Sequence, residues 1–310
     1  MSHRKQMNLN ERLIRRIRAL SVPLLPRPTG VKPILRRIPG IRAILFDVYG
    51  TMLVSASGDI GSSGRGHRNN ALAESLKSAG FVTASRGVVR QGLDLLDRTI
   101  AGAHKTLRKK GCLYPEIDAC SVWNVVLRTL KNQGMIVGPI NLKTVRTLAV
   151  EYECRVNPVW PMPGLRRTLR FLRRAGVVFG IVSNAQFYTP LILQSFSETG
   201  WSTHWFDKDS CILSYRLREA KPSPRLLAKA LRHLRARYGI RAGEVLCVGN
   251  DVLNDIQPAA EAGCRTALFA GDRRSYRPRR NELPDAAQTT DVVILTLAQL
   301  EKVVAPGRKG

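Results

Sequence analysis

In the stretch ILFDVYGTML, residues 44–53, an apolar run ends in a single carboxylate, Asp47, and a turn follows at once. A carboxylate that projects beyond the end of a buried strand can attack an electrophilic phosphorus or carbon. Gly50 and Thr51 form the tight turn that lets backbone amides face a bound anion. Ser183 and Asn184, in VVFGIVSN, can hydrogen-bond that anion, and Lys221, in EAKPSP, can neutralise charge on the nucleophile and the transferring group. In GNDVLND, Asp251 and Asp255 lie four apart at an expected helix start, a spacing that would stack two carboxylates for a hard cation such as Mg²⁺. Each residue alone has a plainer reading, as a helix cap, a solvated lysine or a turn former. Four such features in order, each at an expected strand end, argue for one site.

Bringing them together requires a particular scaffold. From residue 41 the chain alternates apolar segments (RAILFDV, VVFGIVSN, EVLCVGND, RTALFAG, DVVILTL) with amphipathic ones (GLRRTLRFLRRAG, SPRLLAKALRHLRARYG, IQPAAEAG, LAQLEKVV). Short apolar strands separated by helices predict an α/β fold, a doubly wound parallel sheet covered on both faces. Such sheets bind ligands outside the carboxyl ends of their strands, where Asp47, Ser183 and the 250–255 segment fall. Residues 69–157 interrupt the alternation with four segments of helical periodicity, and Gly80, Gly111 and Gly134 stand where helices should stop. The proline-rich NPVWPMPG leads the chain back. The expected division is a basic extension over 1–40, a core over 41–57 and 159–302, a helical cap over 58–158 and a tail over 303–310.

The 310 residues are 44% hydrophobic, enough for a real core, and carry a net charge of +27. Arginine outnumbers lysine 37 to 13 and is spread along the whole chain, so the charge reads as a compositional bias rather than a nucleic-acid or anionic-membrane surface. No zinc finger, RNP aromatic pattern or KH-type loop accompanies it. No apolar run reaches the ~18 residues of a membrane span, and six cysteines without a CxxC pair argue for reduced thiols. A cytoplasmic protein is expected. Within the extension, NERLIRRIRAL forms a short basic amphipathic helix, expected to dock on the core or stay disordered rather than lie on lipid.

The order D-x-x-G-T in FDVYGTML, S-N in IVSNAQ, K-P in EAKPSP and G-x-D-x-x-x-D in GNDVLND resembles the haloacid dehalogenase (HAD) superfamily over about residues 41–302. The resemblance implies a Rossmann-like core with an early-inserted, all-helical cap domain. It implies Asp47 as covalent nucleophile, Ser183 as anion binder and Lys221 as charge neutraliser, supported by Tyr49, Thr51 and Asn184. Asp47, the Tyr49 carbonyl, Asn250, Asp251 and Asp255 become the metal-side groups. A Mg²⁺-dependent phosphatase acting on a small phosphorylated metabolite, an anionic substrate, through an aspartyl-enzyme intermediate at Asp47 follows as the leading expectation.

Two departures qualify it. HAD phosphatases usually carry a second Asp two residues after the nucleophile as general acid and base, and Tyr49 stands there. Such a group contributes about 10²- to 10⁴-fold, so another proton carrier is wanted, and His104, Glu116 and Asp118 in the cap are the candidates. The D-x-Y-G-T form resembles the metal-independent 2-haloacid dehalogenases instead, although GNDVLND matches their fourth motif poorly. Asp251 also follows Asn250, so either could meet a cation. Arg65 and Arg68, in a Gly/Ser-rich hinge-like segment (55–70), could clasp an anion. A catalytically weak scaffold that binds nucleic acid or anionic membrane is the third alternative.

Overall fold

The computed structural model of the chain describes residues 8–57, 65–84, 87–197, 203–279 and 290–304. Its main sheet contains β1 (Ala43–Phe46), β6 (Val178–Ser183), β7 (Phe206–Leu213), β8 (Val245–Gly249), β9 (Arg265–Phe269) and β10 (Val292–Ile294). The strands run parallel in the order β10-β9-β8-β1-β6-β7. The β1 and β8 side chains are buried throughout, as a sheet covered on both faces demands. Alternate β1 residues serve the two layers. Ile44 and Phe46 join the larger core, and Ala43 and Leu45 join a second one with Leu226, Leu227 and Leu234 of α9 (Pro224–Tyr238). The expected doubly wound α/β core is thus present.

β2 (Leu53–Ser55) and β5 (Val159–Pro161) pair antiparallel and form a two-stranded stem where the chain leaves the core and returns. Between them lie α2 (Arg65–Ser78), α3 (Val88–Lys109), α4 (Ala119–Asn132) and α5 (Leu142–Val156). A two-residue antiparallel pair, β3 (Val82–Thr83) with β4 (Ile136–Val137), links the helix ends. α4 starts at Ala119, later than its periodicity suggests, because Asp118 caps it by accepting from the Cys120 amide. The freed segment before it crosses to the core. The Ala220 amide donates to the Tyr114 carbonyl at 2.7 Å, and the Glu116 amide donates to the Arg218 carbonyl at 3.1 Å.

Helix α1 (Leu9–Leu20) docks on α5 and on α7 (Thr189–Ser195), burying Leu13, Ile14 and Ile17. Arg16 of α1 and Arg155 both ion-pair with the buried Glu151. Beyond α1 the extension runs along the sheet edge. Ile34 and Val293 exchange two backbone hydrogen bonds of 2.9 Å, covering β10. The apolar stripe of α1 is therefore a docking face, as expected, while Arg12 and Arg15 stay exposed. Among the described residues no helix is long and apolar enough to cross a membrane.

Candidate active site

Three neighbouring strands, β6, β1 and β8, end at one level, and this brings the polar residues together. Phe46 stands opposite Ile181 and Val248 in the register, and the Asp47 amide donates to the Val248 carbonyl at 2.9 Å. Gly50 has φ +84°, and a Cβ there would lie 2.5 Å from Ser275 Cβ, so only glycine makes this turn. Gly249 is required for a different reason: a Cβ would meet the Asp255 carboxylate at 2.2–2.3 Å.

Asp47 Oδ1 accepts from Ser183 Oγ at 3.0 Å and from Lys221 Nζ at 2.7 Å. Among the described residues nothing donates to Oδ2, which is left for attack. Lys221 Nζ also meets Asp255 Oδ1 at 2.5 Å, and Asp255 Oδ2 accepts the amides of Asn250 and Asp251 at 3.0 Å each. Asn184 orients the lysine, its Oδ1 accepting from the Lys221 amide at 2.7 Å. Burial works against the Lys221 charge, but Asp255 and then Asp47 outweigh it and hold the ammonium above its ordinary value. One cation between two buried carboxylates leaves an excess negative charge. Burial, helped by Asp47 and opposed by Lys221, raises Asp255 to about 6.

The remaining candidates occupy distinct places. Thr51 donates to Asn250 Oδ1 at 3.0 Å, and Asn250 Nδ2 donates to the Ser275 carbonyl at 2.6 Å. Asp251 does not stack over Asp255. It caps the following turn at Leu253 and Asn254 and accepts from Arg279 Nη2 at 2.8 Å, so the two carboxylates diverge. The segment Val252–Ile256 is a widened, π-helical turn, and Asp255 within it reaches Lys221. Tyr49 lines the same cavity as Asp47, but its hydroxyl bonds Thr189 Oγ1 at 2.8 Å. Burial, then Glu153, pushes this phenol well above its ordinary value.

Asp47, Tyr49, Asn184, Lys221, Asn250, Asp251 and Asp255 line one cavity of about 540 Å³, counting its open mouth. Its donors are all oxygens apart from Lys221 and the arginine and amide nitrogens, a set that suits a hard cation. Asp47 Oδ2 is uncommitted, Asp251 is held by Arg279, and Asp255 is committed to Lys221 and two amides. No cluster of three or more His, Cys, Asp or Glu side chains forms a metal site among the described residues. Of the three carboxylates, Asp47 alone keeps an oxygen with no donor among the described residues.

Arg68, His104 and Glu116 line a second, larger cavity beneath the inserted helices. Arg68 pairs with Asp97 at 2.6 Å, and His104 sits half-buried at the edge, lowered by burial and by Arg108. Asp118 spends its carboxylate on the α4 cap and on Ser121. Arg65 begins α2, but its side chain and residues 58–64 of the hinge-like segment lie outside the described residues. Sequence reading passed over Ser55, Asn157, Gln186 and Arg279. Gln186 follows the S-N motif by two residues, and Arg279 was concealed by the abundance of arginine.

A strand-end carboxylate held by a serine and a lysine thus stands at the rim of a parallel α/β sheet. A family model, haloacid dehalogenase-like hydrolase, matches residues 41–263, and the chain belongs to that family. Among solved structures, the chain is similar to a 2-haloacid dehalogenase from Pseudomonas syringae pv. Tomato DC3000, with 19% identity over 84% of this chain and 96% of that one and a TM-score of 0.51. It is also similar to a HAD phosphatase from Thermococcus onnurineus, with 21% identity over 86% of this chain and 100% of that one and a TM-score of 0.50. At such identities the likeness is one of fold. No curated protein sequence gives a significant match.

Proposed function

We propose that the chain is a phosphatase that works through a covalent aspartyl intermediate at Asp47 and is assisted by Mg²⁺. The observation that carries this reading is the Ser183–Asp47–Lys221–Asp255 chain, which fixes one carboxylate oxygen and leaves the other free to attack. In the first step Asp47 Oδ2 forms a bond to phosphorus as the bond to the ester oxygen breaks. The departing alkoxide takes a proton from water. Water then attacks the acyl phosphate, releasing phosphate and restoring the carboxylate. Ser183 and Lys221 hold the nucleophile and spread the developing negative charge. When bound, Mg²⁺ supplies further positive charge there, with Asp47, the Tyr49 carbonyl and Asn250 or Asp251 as the groups to hold it. With Tyr49 bonded to Thr189, turnover is slow on esters whose leaving groups need a strong acid.

A second reading, carbon–halogen hydrolysis through an aspartyl ester, is favoured by one observation. Lys221 already neutralises Asp255, and Arg279 already neutralises Asp251, so each acid has a cation supplied by the protein. The deciding experiment is a panel of small phosphate monoesters and 2-haloacids, run with Mg²⁺ and with EDTA, beside Asp47→Asn. Phosphate release that stops with chelator and with Asp47→Asn supports the phosphatase. Halide release that persists in EDTA overturns it in favour of the dehalogenase.

A further inference from the structure

The larger cavity measures about 1110 Å³, counting its mouth, and lies among α2, α3, α4, α5 and the loop after β6. It shares a wall with the Asp47 cavity. Ser55 lines the Asp47 side and Asn157 the other, and Ser55 Oγ donates to Asn157 Oδ1 at 2.7 Å. Asn184 and Gln186, two residues apart on one loop, likewise face one cavity each. The two cavities therefore lie side by side, with the Asp47 rim next to the space among the helices.

The lining surface is mostly apolar, with Leu96, Ile100, Ile117, Val122, Trp123 and Val156 among its walls. Trp123 stands edge-on to Tyr152 with ring centroids 5.0 Å apart, so the wall on this side is aromatic. The charged groups are committed elsewhere. Arg68 is engaged by Asp97 and by the Tyr152 hydroxyl at 3.1 Å. Glu116 accepts from Ser214 at 2.6 Å and from Gln186 at 3.2 Å, and Glu153 accepts from Tyr188 at 2.9 Å and Asn157 at 3.3 Å. A second anionic group placed here would find two carboxyls and an arginine already neutralised by its own acid.

We propose that this cavity binds the body of the substrate and that this body is an uncharged aryl or alkyl group. Resting on the reading of Asp47 as the site of attack, the inference narrows the expected small anionic metabolite to an amphipathic one: an anionic head on an apolar body. The walls supply van der Waals contact and exclude water, while Gln186 and Asn157 mark the polar boundary toward the head.

Calorimetric titration with methyl-, butyl-, hexyl- and phenylphosphonate tests this, because a P–C bond is not hydrolysed and binding is read without turnover. Affinity is expected to rise about two- to fourfold per methylene, with phenyl well above methyl. Ile100→Trp, which fills the cavity, compresses the hexyl-to-methyl ratio by about tenfold or more, whereas the conservative Ile100→Leu retains it. A flat series in the unaltered protein, or 3-phosphonopropionate binding more tightly than butylphosphonate, overturns the inference. 1-Naphthol, which carries no anionic head, separates the two claims. If it binds and Ile100→Trp weakens it while every phosphonate fails, the apolar cavity stands and the phosphatase reading falls. If 1-naphthol fails as well, the inference falls.

Discussion

The rim around Asp47 and the cavity beneath the inserted helices share a wall but are built differently. At the rim, four polar side chains from four segments are joined in one chain of hydrogen bonds and ion pairs, on a frame set by strands ending at one level. In the cavity, apolar side chains from several helices surround a space, and the polar ones pair off among themselves. The difference teaches that reactivity is fixed by a few residues held rigidly, whereas selectivity is spread over many replaceable ones. Substitutions at the rim should act steeply and those in the cavity gradually.

The largest effect is expected at Asp47, the proposed nucleophile. Asp47→Asn keeps the shape and should lower kcat by about 10⁴-fold or more, with the circular dichroism spectrum unchanged. A loss below tenfold would break the comparison, since no rim residue would then dominate. Lys221→Met should cost about 10²- to 10³-fold in kcat and leave Asp47 and Asp255 buried without their shared cation, so its melting temperature should fall too.

Acidity sharpens the contrast at one residue. Because folding raises Asp255 to about 6, the folded chain holds an extra proton between the ordinary carboxylate range and that value. The stability this group contributes is present at low pH and is lost as pH rises through about 6. Urea unfolding at stepped pH should show the wild type losing stability relative to Asp255→Asn across that window. A difference of the opposite sign would mean that Lys221 outweighs burial.

Smaller effects remain. Arg279→Gln removes the cation held by Asp251, and on the phosphatase reading Mn²⁺ binding, read by calorimetry, should tighten several-fold. Unchanged metal affinity would place any cation away from Asp251. Tyr49→Phe deletes only the Thr189 hydrogen bond and should cost about 1 kcal/mol in thermal unfolding. A 10²-fold fall in its kcat would instead make that phenol the missing proton carrier.

What the sequence revealed follows the same division. Strand-end motifs were legible because a buried parallel strand is a continuous apolar run and the residue after it has only one place to go. β7 escaped notice because FDKDSCIL is an edge strand, and its Asp207, Lys208 and Asp209 erase the apolar signature. The stacking expected of Asp251 and Asp255 failed because i,i+4 neighbours align only on a regular α-helix, and Val252–Ile256 is not one. Glu116 and Arg68 could be named as polar residues near the site, but not their partners Ser214, Gln186, Asp97 and Tyr152, which come from distant segments.

The short crossing from the inserted helices to the core deepens this picture. Tyr114 and Glu116 hold the backbone of Ala220 and Arg218, and Lys221 is the next residue along. Any swing that uncovers the cavity must either snap those two bonds or drag the ammonium away from its carboxylates. The segment that walls the larger cavity is thus tied by two backbone bonds to the loop that carries the ammonium.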